Sequence, residues 1–227
     1  MIKIYSLFYS DSSSIGRALE NGNNATKDTR EIYLKNAYLL QRSLAEVGFD
    51  HQVLTNDGSA FDDFSQNYGC DISYIELPFT WEIPRNIKFY GAHYKLEAFH
   101  HIGSGSLGEK ILFIDLDMVA TPSFPALIKV MDTLDSKSIL YYDVSPIELT
   151  DDLLNDHCQA IEFLSGKKLV EPIWAGGEFI FASAAGFRAL SESSLELMPN
   201  YFHNSETMPH VGDEMVLNSV INFLVAE

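Results

Sequence analysis

Two aspartates one residue apart are the side chains of this sequence best suited to chemistry. Asp115 and Asp117 end an apolar, partly β-branched run, residues 111–114, of the type that forms a buried strand. Two carboxylates this close raise each other's pKa, and burial raises it further. A hard cation such as Mg²⁺ or Mn²⁺ relieves that conflict, because it takes one or two carboxylates together with substrate phosphate oxygens. The pair therefore predicts a metal-assisted site for a phosphorylated substrate, with a solvated strand end as the alternative.

Three further groups carry polar side chains next to apolar runs. Residues 174–178 read Trp-Ala-Gly-Gly-Glu ahead of a predicted strand, where paired glycines allow either close approach to a substrate or a bulge or tight turn. Asp213 and Glu214 precede another apolar run, and acidic residues there either complement a helix dipole or act as base or nucleophile. Lys95, on a predicted helix before the Asp-x-Asp strand, either reaches a substrate phosphate or is solvated.

Alternating strand and helix patterns place these residues in an α/β fold. Such alternation predicts a mainly parallel sheet with helices on both faces, and sheets of this kind bind ligands at the carboxyl ends of their strands. A polar loop is expected after the first strand, over residues 10–26. The predicted strands cover residues 2–9, 51–55, 72–77, 111–114 and 138–142, and the predicted helices cover residues 28–47, 86–102 and 124–134.

Composition limits the classes of function. With 227 residues, 46% of them apolar, the chain is expected to form one domain over residues 1–227. The net charge of −17 argues against nucleic acid and anionic membranes as partners, although a nucleotide can bind if a metal ion inverts the local field. No apolar run approaches the ~20 residues of a membrane span, and the two cysteines are far apart. These features predict a soluble protein of the reducing cytoplasm.

Four segments follow one another in a definite order along the chain. They are Tyr94-Lys95-Leu96, Phe113-Ile-Asp115-Leu-Asp117-Met-Val119, Ala175-Gly176-Gly177 and Asp213-Glu214-x-x-Leu217-Asn218. In this order they resemble the motifs of the GT-A glycosyltransferases, and the likeness is nearest to the family of glycogenin and the bacterial lipooligosaccharide galactosyltransferases (glycosyltransferase family 8-like). The resemblance implies a GT-A, Rossmann-like fold and the metal-dependent transfer of a sugar from a nucleotide-diphosphate sugar, UDP-sugar first, to a saccharide or glycolipid acceptor.

The resemblance implies roles for individual residues. Asp115 and Asp117 would bind Mn²⁺ or Mg²⁺ bridging the two phosphates, and Asp213 and Glu214 would be the catalytic candidates. Tyr9 would stack on the base, and Asp213 would also hydrogen-bond the donor sugar. The residues implied in binding the nucleotide sugar are Ser6, Phe8, Tyr9, Lys95, Asp115, Leu116, Gly176, Gly177 and Glu178.

Departures from the family pattern leave alternatives open. Glu214 stands where the family has Gln, so a carboxylate there could be a nucleophile in a retaining reaction or a general base in an inverting one. Trp174 stands where the family has Asn. The family's third metal ligand, a His from a segment after the last core helix, has no counterpart. Either His203 or His210 replaces it, or both are loop histidines and the enzyme is truncated or naturally short, with an open metal site. The chain is therefore expected to be a GT-A domain that lacks a C-terminal segment.

Two rival functions remain. Residues 115–119, Asp-x-Asp-x-Val, also resemble the haloacid dehalogenase-type phosphatases, in which the first Asp attacks phosphorus and the second is the general acid. Three predicted strands before the motif count against that likeness. The other rival is a non-catalytic relative that binds a nucleotide sugar. The expected partners are a nucleotide sugar and a saccharide or glycolipid acceptor, for instance in polysaccharide biosynthesis, and a homo-oligomer stays open.

Overall fold

The computed structural model describes residues 1–11, 27–145, 151–169 and 173–225. Most of the predicted loop over residues 10–26 therefore lies outside the described residues. Within the described ranges no helix combines the length and apolar character needed to span a membrane.

One sheet organises the described part of the chain. Its strands are β1 (Ile2–Phe8), β2 (Gln52–Thr55), β3 (Tyr74–Glu76), β4 (Lys110–Ile114), β5 (Ile139–Asp143) and β6 (Ala175–Ser183). β1 pairs in parallel with β2 and β4, and β2 pairs in parallel with β3. β6 runs antiparallel between β4 and β5, so the sheet has the order β3-β2-β1-β4-β6-β5. The predicted mainly parallel sheet is confirmed, with β6 as an antiparallel exception.

The helices lie on both faces of this sheet, as predicted. Side chains alternate across β4, so Phe113 joins a core cluster with Phe99 and Phe187. Leu112 joins the opposite cluster with Leu40. The helices are α1 (Lys27–Glu46), α2 (Gly58–Tyr68), α3 (Tyr94–Gly103), α4 (Phe124–Asp132), α5 (Asp151–Ser165), α6 (Ala184–Asn204) and α7 (Asp213–Val225).

Two differences from the predicted elements have physical causes. The helix predicted from residue 86 begins only at Tyr94, after a 3₁₀ turn over Tyr90–His93. Phe89 has a left-handed backbone (φ 58°), which a right-handed helix cannot accommodate. Helix α2 was not predicted, although Asp57 caps its N-terminus by accepting from the Ala60 N–H, and Gly69 ends it in the left-handed conformation. Helices α5 and α6 were likewise missed.

The strand order creates a crevice at a definite place. Strands are added outward from β1 toward β3 on one side, and β4 then begins the other side, so the order reverses between β1 and β4. Neighbouring connections leave the sheet in opposite directions at such a point, and the carboxyl ends of the two strands border an open space. Tyr9 follows β1, and Asp115 follows β4, so both lie at this edge.

Candidate functional site

A cleft of about 250 Å³ occupies the crevice between the ends of β1 and β4. Five of the residues predicted to bind the nucleotide sugar or the metal line it, and the other five come from β1, from α1 and from the turn before α3. The lining residues are Leu7, Tyr9, Tyr33, Phe89, Gly91, Ala92, Lys95, Asp115, Leu116 and Asp117.

The two aspartates of the Asp-x-Asp motif have different surroundings. The Asp115 N–H donates to the Glu178 carbonyl at 3.0 Å, which extends the pairing of β4 with β6 by one residue. Its side chain is one-third exposed, whereas Asp117 is an exposed residue. Leu116, between them, is buried in the core beneath the cleft. The strand therefore ends with one carboxylate inside the site and one at its opening.

Lys95 is the buried cation of the site. Its Nζ lies 3.1 Å from Oδ1 and 3.3 Å from Oδ2 of Asp115, and 3.2 Å from Oδ2 of Asp213. It also donates to the Gly177 carbonyl at 3.1 Å. Only 7% of Lys95 is exposed, so the alternative of a solvated helical lysine is wrong. The ammonium joins four elements of the fold at one point.

The site carries more negative than positive charge. Burial would lower the pKa of Lys95, but the Asp115 and Asp213 carboxylates outweigh it and hold that pKa above its ordinary value. Burial raises the pKa of Asp115 to about 6, against the lowering effect of Lys95. One ammonium group thus lies among three carboxylates, those of Asp115, Asp213 and Glu214. Asp117 adds a fourth carboxylate at the opening of the site. Such a cluster favours a cation.

The Gly-Gly-Glu segment is a bulge inside β6. Tyr141 of β5 pairs with Ile180, but the next residue, Tyr142, pairs with Gly176, so residues 177–179 have no counterparts on β5. The glycines therefore lie within the strand, not ahead of it as predicted, and the bulge alternative is confirmed. A Cβ at Gly176 would lie 2.2 Å from Oε2 of Glu178, so the absent side chain leaves room for that carboxylate.

Gly177 has a comparable relation to the charged residues. A Cβ at Gly177 would lie 3.1 Å from both Cγ and Oε1 of Glu214 and 3.2 Å from Nζ of Lys95. These distances are tighter than ordinary contacts, so a larger residue would displace both side chains. The absence of a side chain at Gly177 lets the strand approach the catalytic candidates, and the expected contact of this glycine with the donor sugar stays a prediction.

Beyond the end of β4, the chain leading into β6 has no neighbouring strand on that side, and side chains of helix α7 pair with its backbone instead. The Asn218 side chain accepts from the Ala175 N–H at 2.6 Å and donates to the Ala175 carbonyl at 3.0 Å. The Asn222 side chain does the same for Ile173, at 3.0 and 2.8 Å. Four residues of helix rise about 6 Å and two residues of strand about 6.6 Å, so side chains at i and i+4 match alternate strand residues. We call this arrangement the helix–strand ladder.

Glu214 occupies the next rung of the helix–strand ladder. Its Oε1 accepts from the Gly177 N–H at 3.2 Å, in the same relation as Asn218 to Ala175. A carboxylate has no N–H to return to the Gly177 carbonyl, and Lys95 supplies that donor. An amide would complete the rung without a charge. The rung therefore holds a carboxylate beside Lys95 where hydrogen bonding alone would favour Gln.

Asp213 and Glu214 begin α7, as predicted. Asp213 is buried, and its Oδ2 has no hydrogen-bond partner among the described residues, although Nζ of Lys95 lies 3.2 Å away. Burial would raise the pKa of Glu214, but hydrogen bonding by His210 and the charge of Lys95 hold it below its ordinary value. Glu214 is therefore held ionised by its neighbours.

Three of the residues predicted to bind the nucleotide sugar, Ser6, Phe8 and Tyr9, lie in or just after β1, where successive side chains point to opposite faces of the sheet. The side chains of Ser6 and Phe8 are buried away from the cleft, with Ser6 Oγ 2.9 Å from Nε2 of His51. Side-chain contact of Ser6 or Phe8 with a ligand in the cleft does not fit this placement. Tyr9 does line the cleft, and its ring stacks on Tyr94 with 3.8 Å between centroids.

A buried network that was not predicted joins the cleft wall to the start of α7. Nδ1 of His93 lies 3.1 Å from the carbonyl of Phe89, a cleft residue, and Nε2 lies 3.3 Å from Oη of Tyr201. Tyr201 Oη also accepts from the Gly212 N–H at 2.9 Å. Burial lowers the pKa of His93, so a neutral ring that donates from Nδ1 and accepts at Nε2 satisfies the network. Nothing in the sequence pattern links these distant residues.

The expected divalent cation fits part of this site. Within the described residues no group of three or more His, Cys, Asp or Glu side chains is arranged to hold a metal ion. His210 lies against Glu214, and His203 is an exposed residue of α6, so no contact of either with the Asp-x-Asp pair is seen. Asp115 and Asp117 nevertheless face a cleft with excess negative charge. They suit a cation that is completed by phosphate oxygens and water.

The fold has counterparts among solved structures. The galactosyltransferase LgtC, solved in complex with donor and acceptor sugar analogues, matches with a TM-score of 0.56 and 16% identity over 97% of this chain and 70% of LgtC. The bifunctional glycosyltransferase WbbM matches 96% of this chain and 37% of its own at 10% identity, with a TM-score of 0.49. No protein-family model and no curated protein matches the sequence. The likeness to LgtC identifies the architecture as the GT-A fold.

Proposed function

We propose that this chain is a metal-dependent glycosyltransferase that moves a sugar from a nucleotide-diphosphate sugar, with UDP-sugar as the first candidate, to a saccharide or glycolipid acceptor. The observation that carries the proposal is that Asp115, Asp117 and Lys95 line the β1–β4 crevice of a GT-A fold. Glu214 lies next to this group, because it accepts from the N–H of Gly177, whose carbonyl accepts from Lys95. A nucleotide diphosphate needs a cation in so acidic a cleft, and the two aspartates offer its protein ligands.

The residues of the chain divide the chemical tasks. When bound, Mn²⁺ or Mg²⁺ at Asp115 and Asp117 would stabilise the charge that develops on the diphosphate leaving group. Lys95 orients Asp115, because its ammonium contacts both oxygens of that carboxylate. This proposal differs from direct phosphate contact by Lys95, since its Nζ already has partners in Asp115, Asp213 and Gly177.

Glu214 is proposed to act on the sugar. Breaking the anomeric bond leaves positive charge on the sugar ring, and an ionised carboxylate stabilises such charge whether the reaction retains or inverts configuration. The helix–strand ladder holds this carboxylate at the Gly177 wall of the site. Asp213, with a buried oxygen that lacks a hydrogen-bond partner in the described structure, would accept from a donor hydroxyl.

A non-catalytic, nucleotide-sugar-binding protein is the second candidate. It is favoured by the contact of both Asp115 oxygens with Lys95, which a cation would have to share, and by the lack of a third ligand among the described residues. The same contact disfavours a phosphatase, because the attacking oxygen of Asp115 would be held by an ammonium.

Calorimetric titration of UDP in Mn²⁺ and then in EDTA tests the proposal first. Micromolar binding that requires Mn²⁺, followed by hydrolysis or transfer of a UDP-sugar in a donor screen, supports the enzyme. Metal-dependent binding without turnover of any donor supports the non-catalytic candidate. No binding in either condition contradicts both, and phosphatase assays then follow.

A further inference from the structure

His210 extends the helix–strand ladder by one step toward solvent. It precedes Glu214 by four residues, as Glu214 precedes Asn218. Its Nε2 lies 3.3 Å from Oε2 of Glu214, the oxygen that the rung to Gly177 leaves free. The carboxylate is thus contacted at both oxygens, by a backbone N–H from β6 and by a ring from the loop before α7.

The His210 ring is itself placed by aromatic neighbours. The ring of Trp174 meets it at 75° with 5.3 Å between centroids, and the centroid of the His157 ring is 6.0 Å away. Trp174 and His157 are buried and meet edge to face at 4.3 Å. A partly exposed histidine on a loop is therefore packed against a fixed aromatic wall, where the rotamer freedom of its side chain is reduced.

The titratable groups around this pair come from three helices. Lys95 of α3 and Asp213 of α7 lie on the inner side of Glu214, and His157 of α5 lies beside the His210 ring. His210 is the group on the outer side, where 36% of its side chain and 26% of that of Glu214 are exposed. Without this contact the outer oxygen of Glu214 would face solvent, and the carboxylate could rotate about its terminal bond.

We infer that His210 is a positioning residue, which holds the outer oxygen of Glu214 and keeps its carboxylate directed along the Gly177–Lys95 wall. The part of the inference that concerns turnover rests on the proposed function. The part that concerns the contact between His210 and Glu214 does not depend on it. A neutral ring with the proton on Nε2 and a protonated ring can both donate to Glu214, so orientation does not require a charged His210.

The inference is tested with His210→Ala and His210→Gln in the full chain, with His203→Ala as the control. His203 is an exposed histidine in the last turn of α6, so His203→Ala makes the same change of residue type as His210→Ala but at a different position. With a turned-over UDP-sugar, His210→Ala is expected to lower kcat about tenfold or more with little change in KM, since slight misplacement of a catalytic group has this effect. His210→Gln should recover part of the loss, because its amide can donate.

A second measurement does not need turnover. ¹³C NMR titration of the glutamate carboxyl carbons, with the Glu214 signal assigned through Glu214→Gln, should show the pKa of Glu214 rising in His210→Ala and unchanged in His203→Ala. An unmoved signal together with an unchanged kcat overturns the inference, as does an equal change in His203→Ala. If the wild-type protein turns over no donor, the proposed function fails, and the NMR titration alone decides whether His210 holds Glu214.

Discussion

Asn218 satisfies both backbone groups of Ala175, so that a helix side chain replaces a strand partner at the site. β4 reaches only as far as Ile114, opposite Phe179, and the strand edge of β6 beyond that point would otherwise be unpaired. Unpaired backbone groups inside a protein are costly, and the side-chain amide has the donor and the acceptor needed to pair them. The same contacts set the position of Glu214, one rung further along α7.

Replacing Asn218 with Ala should destabilise the fold by about 2–4 kcal/mol. The substitution leaves the N–H and carbonyl of Ala175 without partners at a fully buried position and also opens a small cavity. Urea denaturation at neutral pH measures the change. Asn200→Ala, at an exposed position of α6, should change stability by about 0.5 kcal/mol or less. Equal losses in the two variants would contradict the ladder as a source of stability.

Replacing Glu214 with Gln separates charge from hydrogen bonding. The amide can complete the rung to Gly177, so we expect stability and nucleotide binding close to those of the wild type. Loss of the carboxylate should lower kcat by about 100-fold or more, as removal of a group that acts on developing charge does. Steady-state kinetics with a UDP-sugar and thermal unfolding measure the two effects. Full activity in the variant would show that Glu214 is only a structural rung.

Replacing Asp117 with Asn should abolish the metal-dependent part of UDP binding. The exposed carboxylate supplies one of the two protein ligands proposed for the cation, and its loss should weaken binding in Mn²⁺ by about tenfold or more. Calorimetry in Mn²⁺ and in EDTA measures the difference. Asp63→Asn removes an equal charge at an exposed position of α2 outside the cleft and should leave binding unchanged. If Asp117→Asn binds like the wild type, Asp117 is a solvated strand end.

Acid should destabilise the protein through His51. Burial lowers the pKa of His51 to about 4, whereas an unfolded histidine has its ordinary pKa near 6.5. Below about pH 6.5 the His51 ring takes up a proton in the unfolded state but not in the folded state, so the stability of the fold decreases as the pH falls from 6.5 toward 4. The loss from this residue alone should reach about 2 kcal/mol by pH 5.

The variant His51→Gln isolates this effect from other titrating groups. Ser6 is the hydrogen-bond partner recorded for the ring, and a glutamine can keep a polar contact there without titrating. Urea midpoints of wild type and variant, measured at pH 7 and pH 5, should therefore converge or cross as the pH falls. Curves that stay parallel would show that the folded protein accepts a proton on His51 without penalty.

Local sequence predicted a substantial part of the candidate site. The apolar run that ends in Asp115 and Asp117 was predicted correctly as a buried strand, because the burial and the end of a strand are both visible in the order of apolar and polar residues along a short segment. The position of Asp213 and Glu214 in the first turn of α7 follows likewise from acidic residues before an apolar segment. The period of two along β1 could also have shown that Ser6 and Phe8 face away from Tyr9.

The sequence by itself therefore determined a mainly parallel α/β fold and the carboxylates at the ends of its elements, because these depend on neighbours along the chain. The tertiary structure alone decided the antiparallel course of β6, the burial of Lys95 among carboxylates, and the ladder from α7 to β6. Each of these joins segments far apart in sequence. Residues 95, 177 and 214 meet only because packing brings α3, β6 and α7 together. A sequence pattern within one of these segments does not show which other segments will pack against it.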